Sequence, residues 1–210
     1  MIKAVIFDMD GVIFDSETMY IKDLMNFFEQ YDIKIKEKDC IPLIGIDNKK
    51  YYEQAYKLWQ EKTDFLTFNI LLKKYFQSLN RDYQSVVRPE IYSVLKNISS
   101  KYKIALASSS RFYIINDALQ KANLDHNFSL IVSGEQFKES KPNPEIYLYT
   151  LNELNVAKNE ALIIEDSPKG IEAANKAGVK VLALKDEKFN MDQSNADIII
   201  NNLNEIMNYL

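Results

Sequence analysis

A recurring alternation of short apolar runs with stretches of helical spacing restricts this chain to one broad architecture. The runs are Ala4-Val5-Ile6-Phe7, Lys103-Ile104-Ala105-Leu106-Ala107, Leu130-Ile131-Val132, Ala161-Leu162-Ile163-Ile164, Val179-Lys180-Val181-Leu182-Ala183-Leu184 and Asp197-Ile198-Ile199-Ile200. Between them a helix is expected around residues 90–99, with Ile91, Val94, Leu95 and Ile98 on its inner face, and another at about 112–122. Asn143-Pro144-Glu145 reads as a helix start, with Asn143 able to cap and Pro144 suited to the first helical position. Pro168 to Ala177 reads as a helix ended by Gly178. Strand-length runs alternating with helices are the mark of a parallel sheet covered by helices, so the chain is expected to be α/β with a Rossmann-like parallel-sheet core.

One segment breaks this rhythm. After Ser16 the apolar spacing becomes helical throughout, with stripes at Tyr20, Leu24, Phe27, Phe28 and Tyr31, at Tyr52, Ala55, Tyr56 and Trp59, and at Phe68, Leu71, Leu72, Tyr75 and Leu79. Rings at this spacing are expected to pack helix against helix. The organisation implied is a helical cap domain, residues 16–82, inserted after the first strand of a core made of residues 1–15 and 83–210. A chain of 210 residues has room for one core domain and one modest insertion.

Ligands of open parallel sheets bind beyond the carboxyl ends of the strands. At the first such end stand Asp8, Met9, Asp10 and Gly11. With the strand period of two, Asp8 and Asp10 point to one side and Met9 to the other. Two carboxylates in one small volume cannot both stay ionised without a cation or a proton between them, so the pair is either a metal site or an acid and a nucleophile. Gly11 lets the backbone turn sharply away. Ser108-Ser109-Ser110 and Glu165-Asp166 occupy two further strand ends, and Lys141 adds a cation just before a helix. Carboxylates, hydroxyls, a lysine and free backbone N–H groups at one sheet edge describe a site for a phosphate and a divalent cation. Carboxylate oxygens suit Mg²⁺, Lys141 can offset charge on the phosphate, and Ser108, with Ser109 beside it, can donate hydrogen bonds to it.

The string Phe7-Asp8-Met9-Asp10-Gly11-Val12-Ile13-Phe14-Asp15-Ser16-Glu17 resembles the opening signature of the haloacid dehalogenase-like hydrolases, and within them the sugar-phosphate phosphatase and β-phosphoglucomutase branch. Ser108 in Ala-Leu-Ala-Ser-Ser-Ser, Lys141 in Ser-Lys-Pro-Asn-Pro and Glu165-Asp166 in Ile-Ile-Glu-Asp-Ser-Pro-Lys-Gly match the family's later segments in order, so the resemblance covers about residues 2–16 and 88–185. It implies a two-step transfer in which Asp8 attacks phosphorus and becomes an aspartyl phosphate, while Asp10 protonates the departing alkoxide and then takes a proton from the hydrolytic water. It implies Mg²⁺ held by Asp8, Asp166 and the main-chain carbonyl of Asp10, with Glu165 ligating directly or through water. The activity implied is that of a phosphoric monoester hydrolase acting on a small sugar or polyol phosphate. A phosphosugar mutase of the β-phosphoglucomutase type is the alternative, and a binding or regulatory protein on the same fold is the non-enzyme alternative. Where the resemblance to the mutase implies a His, and a Lys and an Arg flanking a loop Gly, this chain has Tyr20, Ile44 and Asn48, beside Gly45, which favours hydrolysis. Asp10 with Gly11 argues against a dehalogenase.

Composition narrows the setting. A formal charge of -4 without a clustered basic face argues against nucleic acid as a partner. A single cysteine, Cys40, allows no internal disulfide, and no apolar run approaches the roughly 20 residues that span a bilayer. The expectation is a cytoplasmic protein, monomeric by default, with no membrane partner and a small-molecule phosphate ester as ligand. The one histidine, His126, falls in an expected surface loop, which argues against a His-based mechanism.

Overall fold

The computed structural model describes residues 1–46 and 48–210; the side chains of Asn48 and Lys49 also lie outside the described residues. The strands are β1 (Ala4–Phe7), β2 (Lys103–Ser108), β3 (Leu130–Ser133), β4 (Ala161–Glu165), β5 (Lys180–Leu184) and β6 (Ile198–Ile200). The α-helices are α1 (Glu17–Glu29), α2 (Glu37–Cys40), α3 (Asn48–Lys57), α4 (Phe65–Ser78), α5 (Glu90–Ile98), α6 (Phe112–Lys121), α7 (Glu145–Leu154) and α8 (Pro168–Ala177). Two compact units result: Met1–Asp15 with Tyr83–Leu210, and Ser16–Asp82.

The first unit carries a six-stranded sheet in the order β3-β2-β1-β4-β5-β6. Every adjacent pair runs parallel. The chain moves outward from β1 to β3, then returns to the other side of β1 to lay down β4, so the order reverses between β1 and β4. A doubly wound sheet opens its ligand crevice at that point, at the carboxyl ends of the two strands. All four residues of β1 are buried, which is why the run is apolar without alternation. Ala4, Ile6, Ala107, Ile163 and Val181 pack on one face with Tyr147 and Leu151 of α7 and Ile171 and Ala174 of α8. Their alternates Val5, Phe7, Leu106, Leu162, Ile164 and Leu182 are equally buried, so the second face is covered as well. Each large side chain withdrawn from water in this way contributes about 1.5–3 kcal/mol.

The helix ends follow local chemistry. In α8 the Ser167 hydroxyl accepts from the Gly170 N–H at 3.1 Å, Pro168 opens the first turn, and Gly178 ends the helix at a φ of +74°. In α7 the Asn143 side chain accepts from the Glu145 N–H at 2.9 Å. The helix starts at Glu145, so Pro144 sits at the cap position and not, as its chemistry suggested, at the first helical one.

The second unit is helical and built on rings. Phe27 stacks on Trp59 with centroids 5.5 Å apart, and Phe68 lies 5.0 Å from Trp59. The Trp59 indole N–H donates to the Thr63 hydroxyl at 2.9 Å, so this large buried ring leaves no polar atom unpaired. On α1 the buried stripe is Ile21, Leu24, Phe27 and Phe28, whereas Tyr20, expected within it, is half-buried. Cys40 is buried as a small apolar filler. Among the described residues no helix is long and apolar enough to cross a membrane.

Candidate active site

Register brings the polar strand ends level. Phe7 pairs with Leu106 on one side and Ile164 on the other, so Asp8, Ala107 and Glu165 follow in one row, and the Asp8 N–H donates to the Ile164 carbonyl at 2.9 Å. The Lys141 ammonium sits among them. It donates to Asp8 Oδ1 at 2.5 Å, to Glu165 Oε1 at 2.8 Å and to the Ala107 carbonyl at 3.0 Å. These three bonds use every donor an ammonium has. The Tyr147 ring lies 4.8 Å from Lys141 Nζ, and its hydroxyl donates to Glu165 Oε1 at 2.7 Å.

Glu165 is fully engaged. Besides Lys141 and Tyr147 on Oε1, its Oε2 accepts from the Asp166 N–H at 3.0 Å, the Ser167 N–H at 3.2 Å and the Ser167 hydroxyl at 3.1 Å. Five donors on one carboxylate leave little lone-pair capacity, and through them Glu165 holds Lys141 and the start of α8. Gly170 explains how so large a group fits: a Cβ there would come within 1.8 Å of Glu165 Oε1.

The Asp10 side of the site is made by a turn. The Gly11 N–H donates to the Phe14 carbonyl at 2.7 Å and the Ile13 N–H to the Met9 carbonyl at 2.9 Å, while Met9 points into the core. Gly11 has a φ of +83°, and a Cβ on it would lie 1.9 Å from Asp166 Oδ2. Both the backbone conformation and the Asp166 side chain therefore require glycine. Asp10 Oδ2 accepts from the Ser110 hydroxyl at 2.7 Å, and Ser110 is fixed in turn by its N–H on the Ser108 hydroxyl oxygen at 3.0 Å. Ser108 is buried at the end of β2, and Ser109 is exposed beside it.

Three contributors escaped the sequence. Ser110 was visible only as the third of three serines. Arg88 donates from its guanidinium to the Gly11 carbonyl at 3.1 and 3.2 Å, and Gln193 reaches the Asp166 carbonyl at 2.6 Å. Neither lies in a recognisable motif. His126 is exposed and outside the site.

Charge is strongly perturbed here. Burial is the main cause that raises Asp8 to about 7, against the opposing Lys141 ammonium, with Glu165 and Asp10 adding to the rise. Burial works against the charge on Lys141, but the Asp8 and Glu165 carboxylates outweigh it and hold the ammonium well above the ordinary lysine range. Glu165 is also opposed by burial, yet Lys141, Tyr147 and the backbone N–H groups hold it below the usual carboxylate range. Carboxylate oxygens of Asp8, Glu165 and Asp166 lie within 4.8 Å of one another. Hard oxygen donors at this spacing, with Gly11 keeping Asp166 in place, fit a divalent cation.

In the helical unit Tyr20 lies beneath the Arg81 guanidinium at 5.3 Å, and Arg81 is bound to Asp23 at 2.6 Å. Ile44 is half-buried, Gly45 has a φ of +65°, and the Asn48 side chain lies outside the described residues.

Residues 5–184 match the family described as haloacid dehalogenase-like hydrolase. The phosphorylated carbohydrates phosphatase of Thermotoga maritima is 31% identical over 181 residues, covering 85% of this chain and 82% of that protein. The β-phosphoglucomutase of Bacillus subtilis is 30% identical over 186 residues, covering 84% and 80%. The crystal structure of β-phosphoglucomutase from Clostridium difficile is similar with a TM-score of 0.80 at 26% identity, covering 98% of this chain and 93% of that one. The matched residues run from β1 to β5 and include the aspartates, the glutamate, the lysine and the serines that meet at the sheet edge, and the chain belongs to the haloacid dehalogenase-like hydrolases.

Proposed function

We propose that this phosphoric monoester hydrolase acts on a small sugar or polyol phosphate through an aspartyl phosphate formed on Asp8. The observation that carries the reading is the Lys141 ammonium, 2.5 Å from Asp8 and 2.8 Å from Glu165, in a buried pocket of carboxylates. It neutralises a nucleophile that must meet an anion, and Glu165 and Tyr147 keep it there. Asp8, Asp166 and the main-chain carbonyl of Asp10 would hold Mg²⁺, which supplies charge neutralisation at the transferring phosphoryl group.

In the first step a carboxylate oxygen of Asp8 attacks phosphorus and the bond to the ester oxygen breaks. Asp10, oriented by the Ser110 hydroxyl, gives its proton to the leaving alkoxide. Ser108 and Ser109 hold the phosphoryl oxygens by donated hydrogen bonds, and the Lys141 ammonium beside Asp8 offsets their charge. Asp10 then takes a proton from water, the water oxygen attacks phosphorus, the bond to Asp8 breaks and inorganic phosphate leaves.

The helical unit, residues 16–82, serves as a cap that selects the leaving group. Arg81, whose guanidinium lies over the Tyr20 ring, is already bound to Asp23, which supports a phosphatase over a mutase that must hold a second phosphate. The protein is a cytoplasmic monomer in this reading, consistent with a single buried cysteine. ³¹P NMR of the protein with Mg²⁺ and a panel of sugar phosphates, β-glucose 1-phosphate included, tests it. Release of inorganic phosphate that stops on adding EDTA is expected. Interconversion of esters without release would replace the phosphatase by a mutase, and no turnover across the panel would sink both.

A further inference from the structure

The loop that follows β5 lies beyond the residues matched to the family, which end at 184, yet it reaches the end of the sheet that carries Asp166. Asp186 organises it. Its carboxylate accepts from the N–H groups of Lys188 at 2.9 Å, Phe189 at 3.0 and 3.1 Å, and Met191 at 2.7 Å. Lys188 also pairs with Asp15, tying the loop to the end of the segment that carries Asp8 and Asp10.

Gln193 closes the loop and is only 6% exposed. Its Oε1 accepts from the Asp186 N–H at 3.0 Å, and its Nε2 donates to the carbonyls of Asp166 at 2.6 Å and Leu184 at 2.7 Å. Two carbonyls on one end and an N–H on the other leave a single orientation for the amide. Asp166 is thereby clamped at both ends of its own main chain, the N–H by Glu165 Oε2 at 3.0 Å and the carbonyl by Gln193. Its carboxylate is walled by Gly11, where even a methyl group would sit 1.9 Å from Oδ2. A residue fixed at N–H, at carbonyl and along its side chain has little freedom left in where its carboxylate points.

We propose that Gln193 is a positioning residue for the divalent cation: it presets the Asp166 carboxylate by holding that residue's carbonyl against the end of β5. The inference rests on the reading that Asp166 holds Mg²⁺. Groups that orient a metal ligand typically change metal affinity by 10–100-fold when removed.

The test is Mg²⁺ binding to the full chain by isothermal titration calorimetry, for the wild type, Gln193→Met and Gln193→Asn. Methionine keeps the length and removes both donors, so its Mg²⁺ dissociation constant is expected to rise about tenfold or more. Asparagine keeps the amide on a shorter arm, is the gentler change should the methionine variant fail to fold, and is expected to fall between the two. The rise in melting temperature that Mg²⁺ induces should shrink in the same order, while kcat at saturating Mg²⁺ changes far less than the Mg²⁺ requirement. A loop that merely supports the fold would lower the melting temperature equally with and without Mg²⁺ and leave the dissociation constant unchanged, which would overturn the proposal. A wild type that binds no Mg²⁺ would overturn the proposed function and this inference together. A wild type that binds Mg²⁺ beside variants of equal affinity would overturn this inference alone.

Discussion

Gly170→Ala separates helix propensity from tertiary fit. Gly170 lies in the first turn of α8, and by propensity alone alanine is favoured there by up to about 1 kcal/mol. The built Cβ, however, falls 1.8 Å from Glu165 Oε1, 1.9 Å from Cδ and 2.2 Å from Oε2, where ordinary contact begins at 3.4 Å. The carboxylate must retreat by about 1.5 Å, more than hydrogen bonds of 2.7–3.2 Å tolerate. Losing two of its five, at about 1.5 kcal/mol each for a charged acceptor, costs about 3 kcal/mol. The Lys141 bond is one of the five, so that cost falls within the about 3–5 kcal/mol of breaking the buried Lys141–Glu165 pair and is not added to it. After the helix gain the net loss is about 2–4 kcal/mol, which for a chain of this size lowers the melting temperature by roughly 5–15 °C. Scanning calorimetry measures it, and phosphate release should fall with it because Lys141 loses its partner. A variant that melts at or above the wild type with unchanged turnover would refute the close packing of Glu165 on α8.

Two further perturbations address the nucleophile and the helical unit. Asp8→Asn is expected to abolish turnover and also to stabilise the metal-free protein. Because burial raises Asp8 from 3.8 to about 7, its contribution to stability is fully present below pH 4 and is lost as pH rises through 7. The variant's advantage in EDTA should therefore grow from pH 4 to pH 8 towards a ceiling of about 4 kcal/mol, and parallel stability curves would refute the assignment. Trp59→Ala removes the ring that Phe27 stacks on and Phe68 abuts, at a cost of about 3–5 kcal/mol, and calorimetry should show Ser16–Asp82 melting first; an unchanged profile would contradict the packing.

Much of the core could be read along the chain. The α8 helix is bounded where Pro168 and Gly178 put it, because both act through local backbone geometry. The strand ends bearing Asp8, Ser108 and Glu165 were likewise legible, since an apolar run that stops at a polar residue marks the edge of a buried sheet. The duty of each acid was not. Glu165 and Asp166 are adjacent and chemically alike, yet one accepts five donors and the other faces the Gly11 turn. Ser109 and Ser110 are identical neighbours, and only the fold directs the Ser110 hydroxyl to Asp10.

What the sequence by itself determined was the kind of fold and the edge where chemistry gathers, because strand period, helix period and turn residues act over a few positions. Tertiary structure alone decided the partners. Lys141 meets Asp8 across 133 residues of chain, and Gln193 meets Asp166 across 27. Such meetings depend on the strand order β3-β2-β1-β4-β5-β6, which brings the ends of β1, β4 and β5 side by side. No local pattern encodes that adjacency; it arises from burying both faces of the sheet at once.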